Sequence, residues 1–322
     1  MLNARYFISY VALIPSAIWS IHLCSIYIQH AHSSFTALNM PADAIPICER
    51  KYCEHNTKTN VLFAIKSPAF KTAKSRRDAI RNTYARQIKE YPQADYTFYL
   101  SAPDENNAPF ITEELDTHND LTILSTIPET SPNTTRYAIT MKTFEFIKQL
   151  SRPYNWVCHI DDDSYVQIYR LMERYLLNPR YHPFRTIVAR VRTEPSFMGE
   201  TNFPYPGGQM YCISGDIART VATQFHTAIP ELGTDPNTWP SDDLIMGLFI
   251  RRAFGKAQWV DLPNPIAYDI GDSWDINDYA HIPNPNQGIN PHRLKDDELF
   301  KAVALAHEQL FITPQQLITG NT

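Results

Sequence analysis

Short apolar runs alternate with longer amphipathic segments over most of the chain. Each short run has the length and character of a buried strand, and such runs occur at 61–65, 96–100, 121–124, 156–160 and 186–189. The amphipathic segments carry apolar residues at helical spacing, and they predict helices at 76–84, about 135–150, 171–176, 244–254 and 299–310. Strands that alternate with helices are typical of a largely parallel α/β sheet flanked by helices.

Polar stretches rich in Pro, Asn and Asp separate some of these elements. Residues 102–109 and 261–291 have this composition, which favours turns, so both are predicted to be loops. Gly207 and Gly208 precede a further apolar strand. Paired glycines let a ligand approach the backbone closely, although a plain turn explains them equally well.

Three consecutive carboxylates follow the apolar run 156–160. Asp161, Asp162 and Asp163 stand where that strand leaves the core, and ligands of parallel sheets bind beyond the carboxyl ends of strands. Adjacent carboxylates near an interior repel one another and favour a counter-cation. Oxygen ligands suit Mg²⁺ or Mn²⁺, which can bridge to substrate phosphates. A solvated acidic turn is the alternative interpretation.

Two other charged pairs are candidates for chemistry. Arg77 and Arg81 lie four residues apart on one predicted helix face, where two guanidinium groups suit a phosphate or a carboxylate. The alternative is an exposed basic helix. Asp242 and Asp243 come just before an apolar helix, where an aspartate could equally serve as the helix cap.

The N-terminus differs from the rest of the chain. From Tyr6 to Ile28 there are 23 residues without Asp, Glu, Lys or Arg, enough to span a bilayer as a helix. Arg5 and the amino terminus precede this run, so the positive-inside rule predicts a cytosolic N-terminus and a lumenal body. A cleaved signal peptide, leaving a secreted protein, is the competing interpretation. The predicted division is 1–28 stub and anchor, 29–58 stem and 59–322 folded domain.

Composition narrows the function classes. The chain has 322 residues, of which 43% are hydrophobic, and a net charge of −5. This length and hydrophobic content support a substantial core and argue against disorder. Because the chain has no excess of positive charge, no nucleic-acid partner is expected.

A lumenal body would place four cysteines where disulfides persist. Cys48 and Cys53 are close enough in sequence to close a small loop, which leaves Cys158 and Cys212 for a second bridge. A zinc site is the less favoured alternative, because the cysteines do not form paired CxxC motifs. The glycosylation sequon at Asn133 is compatible with the same compartment.

Five motifs, in one order, resemble the fringe and β1,3-galactosyltransferase group, glycosyltransferase family 31. The similarity runs from about residue 61 to 307. Two motifs resemble fringe and one the galactosyltransferase branch, while two are common to the family. In chain order they are the arginine segment Arg76–Tyr84 of the galactosyltransferase branch, with Tyr84 replacing its Trp; Met141-Lys142; the fringe-like block Trp156–Val166; the fringe-like Gly207-Gly208 with Cys212-Ile213-Ser214; and Asp242-Asp243 with Gly247.

The resemblance implies a metal-dependent, inverting transferase of the GT-A fold, a Rossmann-like α/β domain, anchored in the Golgi membrane as a type II protein. Such an enzyme moves N-acetylglucosamine or galactose from a UDP-sugar to a glycan or glycoprotein in β1,3 linkage. Neither donor is favoured by the mixed motifs. The cofactor would be Mn²⁺ or Mg²⁺, which neutralises charge on the leaving phosphate.

The resemblance also implies residue roles. Inversion needs one carboxylate to take the acceptor's proton; this is assigned to Asp243, with Asp242 its neighbour. Asp163, assisted by Asp161, is the expected metal ligand. The expected donor-binding residues are Arg77, Arg81, Lys142, Asp162, Gly207 and Gly208.

The histidine of the metal site departs from the family pattern. Fringe carries a metal-binding His downstream of its catalytic Asp, and the corresponding stretch here, Ala267–Asp269, has none. His292 is the predicted substitute, because residues 292–299 resemble the segment with the His that precedes the last helix of the family. His281 is the second choice, and a surface histidine without a role is the alternative for either.

Two other function classes stay open at this point. A metal-dependent phosphohydrolase would also use clustered aspartates, but it does not account for Asp242-Asp243 before a helix or for the upstream arginines. A catalytically silent lectin or scaffold of the same fold is the third class.

Overall fold

The structure is a computed structural model that describes residues 59–129, 136–229, 240–263, 266–270 and 288–308. All of them belong to one compact unit, Thr57–Thr322. Across these ranges no helix has both the length and the apolar character that a bilayer crossing requires. The predicted anchor, stem, Cys48–Cys53 bridge, Asn133 sequon and His281 lie outside the described residues and stay predictions.

The described residues form a chain of alternating strands and helices. The strands are β1 Val61–Lys66, β2 Ala94–Ala102, β3 Leu121–Pro128, β4 Trp156–Asp161, β5 Thr186–Phe197, β6 Glu200–Ser214, β7 Gln258–Asp261, β8 Ala267–Asp269 and β9 Asn290–His292. The α-helices are α1 Lys74–Asn82, α2 Tyr84–Lys89, α3 Ala108–His118, α4 Arg136–Lys148, α5 Ile168–Leu171, α6 Gly215–Ala228, α7 Asp242–Phe254 and α8 Asp297–Glu308.

Seven strands form one mixed sheet in the order β3-β2-β1-β4-β6-β5-β7. The first four in this order are parallel to one another, whereas β6 runs antiparallel to both β4 and β5. The predicted α/β fold with a mostly parallel central sheet is confirmed. Because β1 and β4 pair in parallel, their carboxyl ends lie side by side, with Lys66 opposite Asp161.

The central strands are buried on both faces. Alternate residues of a strand point to opposite sides of the sheet. In β1, Val61, Phe63 and Ile65 accordingly enter one hydrophobic core, while Leu62 and Ala64 enter the other. Burial on both faces requires an unbroken apolar run, which is why this strand was recognisable from sequence.

Helices α3 and α6 were not predicted, and α3 begins inside the predicted loop 102–109. A Pro in the first turn starts α3, where its missing N–H costs nothing. The helix predicted through 171–176 is α5 followed by a π-helical turn, Met172–Leu176.

The prediction of a loop at 261–291 was wrong at both ends. Strands β8 and β9 form a separate two-stranded parallel pair, in which Asp269 lies opposite His292. Each is only three residues long, and β9 contains a proline. Local composition therefore disfavours them, and only their mutual pairing makes them strands.

A disulfide joins the two strands that meet at the centre of the sheet. Cys158 of β4 and Cys212 of β6 lie directly opposite each other and are bonded. The predicted Cys158–Cys212 bridge is therefore present, and a zinc site that uses these two cysteines is excluded.

Candidate active site

The carboxylates of the predicted site meet at the carboxyl edge of the parallel strands. Asp161 ends β4 and lies opposite Lys66 at the end of β1. The Lys66 ammonium group lies 3.1 Å from Asp161 Oδ1 and 3.0 Å from Asp242 Oδ2. One partly buried cation thus joins the strand that leads into the three aspartates to the first turn of α7.

Asp161, Asp163 and His292 form a group that could hold a metal ion. Their ligand atoms all lie within 4.8 Å of one another, and His292 Nε2 is 3.2 Å from Asp163 Oδ1. Pairing of β9 with β8 brings the histidine here, and Leu294 N donates to the Asp163 carbonyl oxygen at 2.8 Å. Two carboxylates and an imidazole are ligands that can hold a divalent metal ion.

The surroundings of Asp161 keep its carboxylate ionised. Asp161 Oδ1 is buried, and it lies 3.1 Å from the Lys66 ammonium group and 3.4 Å from His159 Nε2. Lys66 and His159 lower the pKa of this carboxyl far below its usual value, even though burial alone would raise it. An ionised carboxylate is a suitable metal ligand.

Asp162 faces away from this group. Its Oδ2 accepts a 2.7 Å hydrogen bond from Ser67 Oγ, and its Oδ1 lies 3.4 Å from Arg76 Nη1. Burial raises the pKa of Asp162, and the positive charge of Arg76 opposes that shift. Arg76 also donates to the Lys295 carbonyl oxygen at 2.7 Å, so it joins the aspartates after β4 to the segment after His292.

Arg77 and Arg81 are not at the open edge of the site. Arg77 is fully buried and makes a bidentate pair with Glu114 of α3, at 2.8 and 2.7 Å. Arg81 binds Asp120 in the same bidentate way and also contacts Glu114. Arg77 also donates to Ser67 Oγ at 3.1 Å. Both guanidinium groups are thus engaged with neighbouring side chains, and their expected contact with the donor stays a prediction. Their carboxylate partner Glu114 lies on the helix that sequence reasoning missed.

Arg76 is the arginine of that motif that reaches the aspartates. Its side chain is 24% exposed, whereas its neighbour Arg77 points into the core. Successive helical residues are about 100° apart around the axis, so adjacent arginines have different surroundings. The doubled arginine in the sequence was the available signal, but it does not say which residue faces the site.

Lys142 lies beneath the site. Its Nζ contacts Glu129 Oε2 at 3.1 Å and the Ser67 carbonyl oxygen at 3.3 Å. Burial lowers its pKa against the opposing effect of Glu129. Glu129 also accepts from Ala69 N at 2.9 Å. In this arrangement Lys142 holds the loop after β1, and its expected contact with the donor stays a prediction.

Asp242 and Asp243 have different surroundings. Asp242 is 5% exposed, and its Oδ2 contacts both Lys66 and Thr143 Oγ1, the latter at 2.6 Å. Asp243 has no ion-pair partner among the described residues, and burial together with the charge of Asp242 raises its pKa. Ser241 occupies the N-cap position of α7 but makes no side-chain capping hydrogen bond, and Asp243 Oδ1 accepts a 2.8 Å hydrogen bond from Leu244 N in the first turn.

Gly207 and Gly208 lie inside β6 rather than in a turn. A Cβ atom at Gly208 would approach Asp243 Oδ2 to 3.2 Å, and one at Gly207 would approach the flexible end of Gln209 to 2.8 Å. Gly208 therefore leaves room beside the Asp243 carboxylate. The predicted contact of both glycines with a donor stays a prediction.

Sequence reasoning missed the buried polar residues behind the aspartates. His159 Nδ1 lies 2.6 Å from the Tyr99 hydroxyl, and its Nε2 lies 3.4 Å from Asp161 Oδ1. Lys66 and His159 each interrupt or end an apolar strand. The sequence signal that could have found them is a polar or charged residue within a buried strand, as for His159, or at its end, as for Lys66.

The profile described as Fringe-like matches residues 56–260, and no curated protein sequence matches the chain. The WbbM bifunctional glycosyltransferase, solved in its apo form, has a TM-score of 0.44 and 12% identity, over 77% of this chain and 50% of that chain. The chain thus spans half the length of that protein.

A second solved structure is the mannosyltransferase PcManGT from Pyrobaculum calidifontis, in complex with GDP-Man and Mn²⁺. Its TM-score is 0.39 with 14% identity, over 78% of this chain and 66% of that chain. The family profile, by contrast, covers more than half of this chain and includes the aspartate strand, the glycine pair and Asp242-Asp243. The chain belongs to the Fringe-like family of glycosyltransferases.

Proposed function

We propose that the chain is a metal-dependent, inverting hexosyltransferase that moves N-acetylglucosamine or galactose from a UDP-sugar to a glycan or glycoprotein hydroxyl in β1,3 linkage. One observation carries the proposal. Lys66 contacts both Asp161 of the candidate metal group and Asp242. It thereby holds the metal group and the first turn of α7 at one edge of the sheet, where the next residue, Asp243, has no ion-pair partner among the described residues.

The donor is assigned to the side that bears the metal group. Asp161, Asp163 and His292 would hold the divalent ion, which when bound neutralises the charge of the leaving diphosphate. Asp162, fixed by Ser67, would face the nucleotide sugar. Because Arg76 pairs with Asp162, it is the arginine best placed to assist Asp162 in binding the nucleotide sugar.

Asp243 is assigned as the general base. The acceptor oxygen attacks the anomeric carbon, the bond from that carbon to the phosphate oxygen breaks, and UDP departs with the bonding electrons. The acceptor proton passes to Asp243, whose raised pKa suits a proton acceptor. A single displacement of this kind inverts the anomeric centre, in keeping with a β-linked product from an α-linked donor.

The cellular setting is part of the proposal. The apolar segment 6–28 would anchor the protein in the Golgi membrane as a single-pass type II protein with a lumenal catalytic domain, or leave a secreted enzyme if it is cleaved. The Cys158–Cys212 bridge supports this setting, because disulfides persist in oxidising compartments.

The test is UDP release from a panel of UDP-sugars with Mn²⁺, with and without glycan acceptors. Acceptor-stimulated release from one donor is expected, and Asp163→Ala or EDTA should abolish it. Hydrolysis of simple phosphate esters would indicate a phosphohydrolase. Absence of turnover with every donor and acceptor would indicate a silent scaffold, and full activity of Asp163→Ala would remove the assigned metal site.

A further inference from the structure

The candidate metal group continues into a line of paired side chains. His292 Nε2 lies 3.2 Å from Asp163 Oδ1, and His292 Nδ1 lies 2.8 Å from Asp269 Oδ1. The second oxygen of Asp269 lies 3.3 Å from Arg190 Nη1. The order Arg190, Asp269, His292, Asp163 thus runs from strand β5 to the aspartates after β4.

Asp269 is outside the group of possible metal ligands but contacts one of them. The group that could hold an ion in the described part of the chain contains Asp161, Asp163 and His292. Asp269 reaches this group through the imidazole ring alone. Its position is set by the β8–β9 pairing, in which Asp269 lies opposite His292.

A carboxylate that accepts a hydrogen bond from one imidazole nitrogen determines which nitrogen carries the proton, and so whether the other can bind a metal ion. When Asp269 Oδ1 accepts a hydrogen bond from Nδ1–H, the proton is held on that nitrogen, and Nε2 keeps its lone pair for a cation. The contact also fixes the ring orientation. Carboxylates in this arrangement typically raise metal affinity about 10- to 100-fold.

Arg190 contacts Asp269 on the oxygen that does not face His292. Asp269 is 30% exposed, so water could otherwise compete for its oxygens. The Arg190 contact with Oδ2 leaves Oδ1 to face the ring, and Arg190 itself stands on the strand next to β6. The carboxylate is thereby held from both sides.

We infer that Asp269 is a positioning residue that holds His292 with Nε2 directed at the metal. The inference rests on the proposed function, because it requires the metal site assigned there. Asp269 itself does not touch the donor, the acceptor or the ion.

The measurement is Mn²⁺ binding to the full chain with UDP present, followed by electron paramagnetic resonance of free Mn²⁺. Asp269→Ala should weaken Mn²⁺ binding about 10-fold or more, and Asp269→Asn, which keeps an acceptor oxygen, should lie between it and the unaltered protein. At saturating Mn²⁺, kcat should return close to its original value. Glu200→Ala is the matched control, because Glu200 is also 30% exposed and paired with arginine, and it should bind Mn²⁺ normally.

A double-mutant cycle separates positioning from a general loss of structure. If Asp269 acts through the ring alone, Asp269→Ala should cause no further loss of Mn²⁺ binding in a His292→Ala background. An equal loss in both backgrounds would overturn the inference, as would normal binding by Asp269→Ala.

Failure of the inference and failure of the proposed function give different results. Loss of Mn²⁺ binding in Asp163→Ala together with normal binding in Asp269→Ala would refute the role of Asp269 but retain the metal site. Normal binding in Asp163→Ala would refute the metal site itself and the role of Asp269 with it.

Discussion

Asp242 and Asp243 are adjacent in sequence, but their surroundings shift their pKa values in opposite directions. Burial favours the neutral form of both. Lys66 outweighs burial at Asp242 and lowers its pKa, whereas Asp243 has no such partner among the described residues, and the negative charge of Asp242 raises its pKa further. A base must be ionised yet ready to accept a proton, which describes Asp243 and not Asp242.

We expect Asp243→Asn to reduce kcat about 10²-fold or more while Mn²⁺ and UDP affinities stay nearly unchanged, because the base acts only in the transition state. Steady-state kinetics and UDP binding by calorimetry provide the two measurements. Normal turnover by Asp243→Asn would move the base elsewhere.

Asp242→Asn serves as the comparison, and its main effect should be on stability. The substitution removes one of the two carboxylates that Lys66 contacts. Because Lys66 keeps Asp161 as a partner, the loss is that of a hydrogen bond between charged groups, about 1.5–3 kcal/mol. Urea denaturation would measure this. An inactive but fully stable Asp242→Asn, beside an active Asp243→Asn, would transfer the role of base to Asp242.

The pH dependence of kcat should follow the raised pKa of Asp243. Its ordinary value is 3.8, and burial together with Asp242 places it higher. The ionised base is lost as pH falls through that raised value, so at saturating Mn²⁺, donor and acceptor the acid limb of kcat should lie above pH 3.8. An acid limb at or below that value would contradict the assignment.

Among the elements, helix α7 packs closely against strand β6 because Gly247 has no side chain at the point of contact. A Cβ atom at Gly247 would come within 2.3 Å of Tyr205 Cβ and 2.8 Å of the Pro204 carbonyl oxygen. Gly247 is one helical turn after Asp243, so this contact helps to set the position of the base relative to Gly208.

We expect Gly247→Ala to push α7 away from β6, costing about 1–3 kcal/mol of stability and lowering kcat. Gly255→Ala is the matched control. Gly255 has a φ of +67° and no atom within 4 Å of an added Cβ, so its substitution strains the backbone by about 1–2 kcal/mol without crowding the site. Melting curves and kcat should show both variants destabilised but only Gly247→Ala impaired in turnover.

Several elements could be predicted because their signal is local. The apolar runs of β1 and β4 are contiguous, since both faces of these strands are buried. Helices α3 and α6 were missed, and the first of them starts in a segment whose Pro and Asn content favours turns. Strands β8 and β9 have weak propensity and exist through their pairing with each other.

At the scale of the whole molecule, the Cys158–Cys212 bridge joins the parallel part of the sheet to its antiparallel part. It links positions 54 residues apart, and restricting a loop of that length in the unfolded chain stabilises the fold by about 4 kcal/mol. We expect Cys158→Ala/Cys212→Ala to lose that much unfolding free energy in denaturant titrations. Mass mapping of non-reduced peptides that finds both thiols free would contradict the bridge.

The central strands of the sheet, the parallel α/β class and the carboxylates at 161–163 and 242–243 were predictable from the sequence, because burial and periodicity are properties of neighbouring residues. Which charges meet depends on the fold. Lys66 and Asp242 are 176 residues apart, and Asp269 and His292 are brought together by strand pairing. Coulomb and hydrogen-bond energies depend on distance in space. The buried pairing of Arg77, the lack of an ion-pair partner for Asp243 among the described residues and the contact of Asp269 with His292 therefore became visible only once the chain was folded.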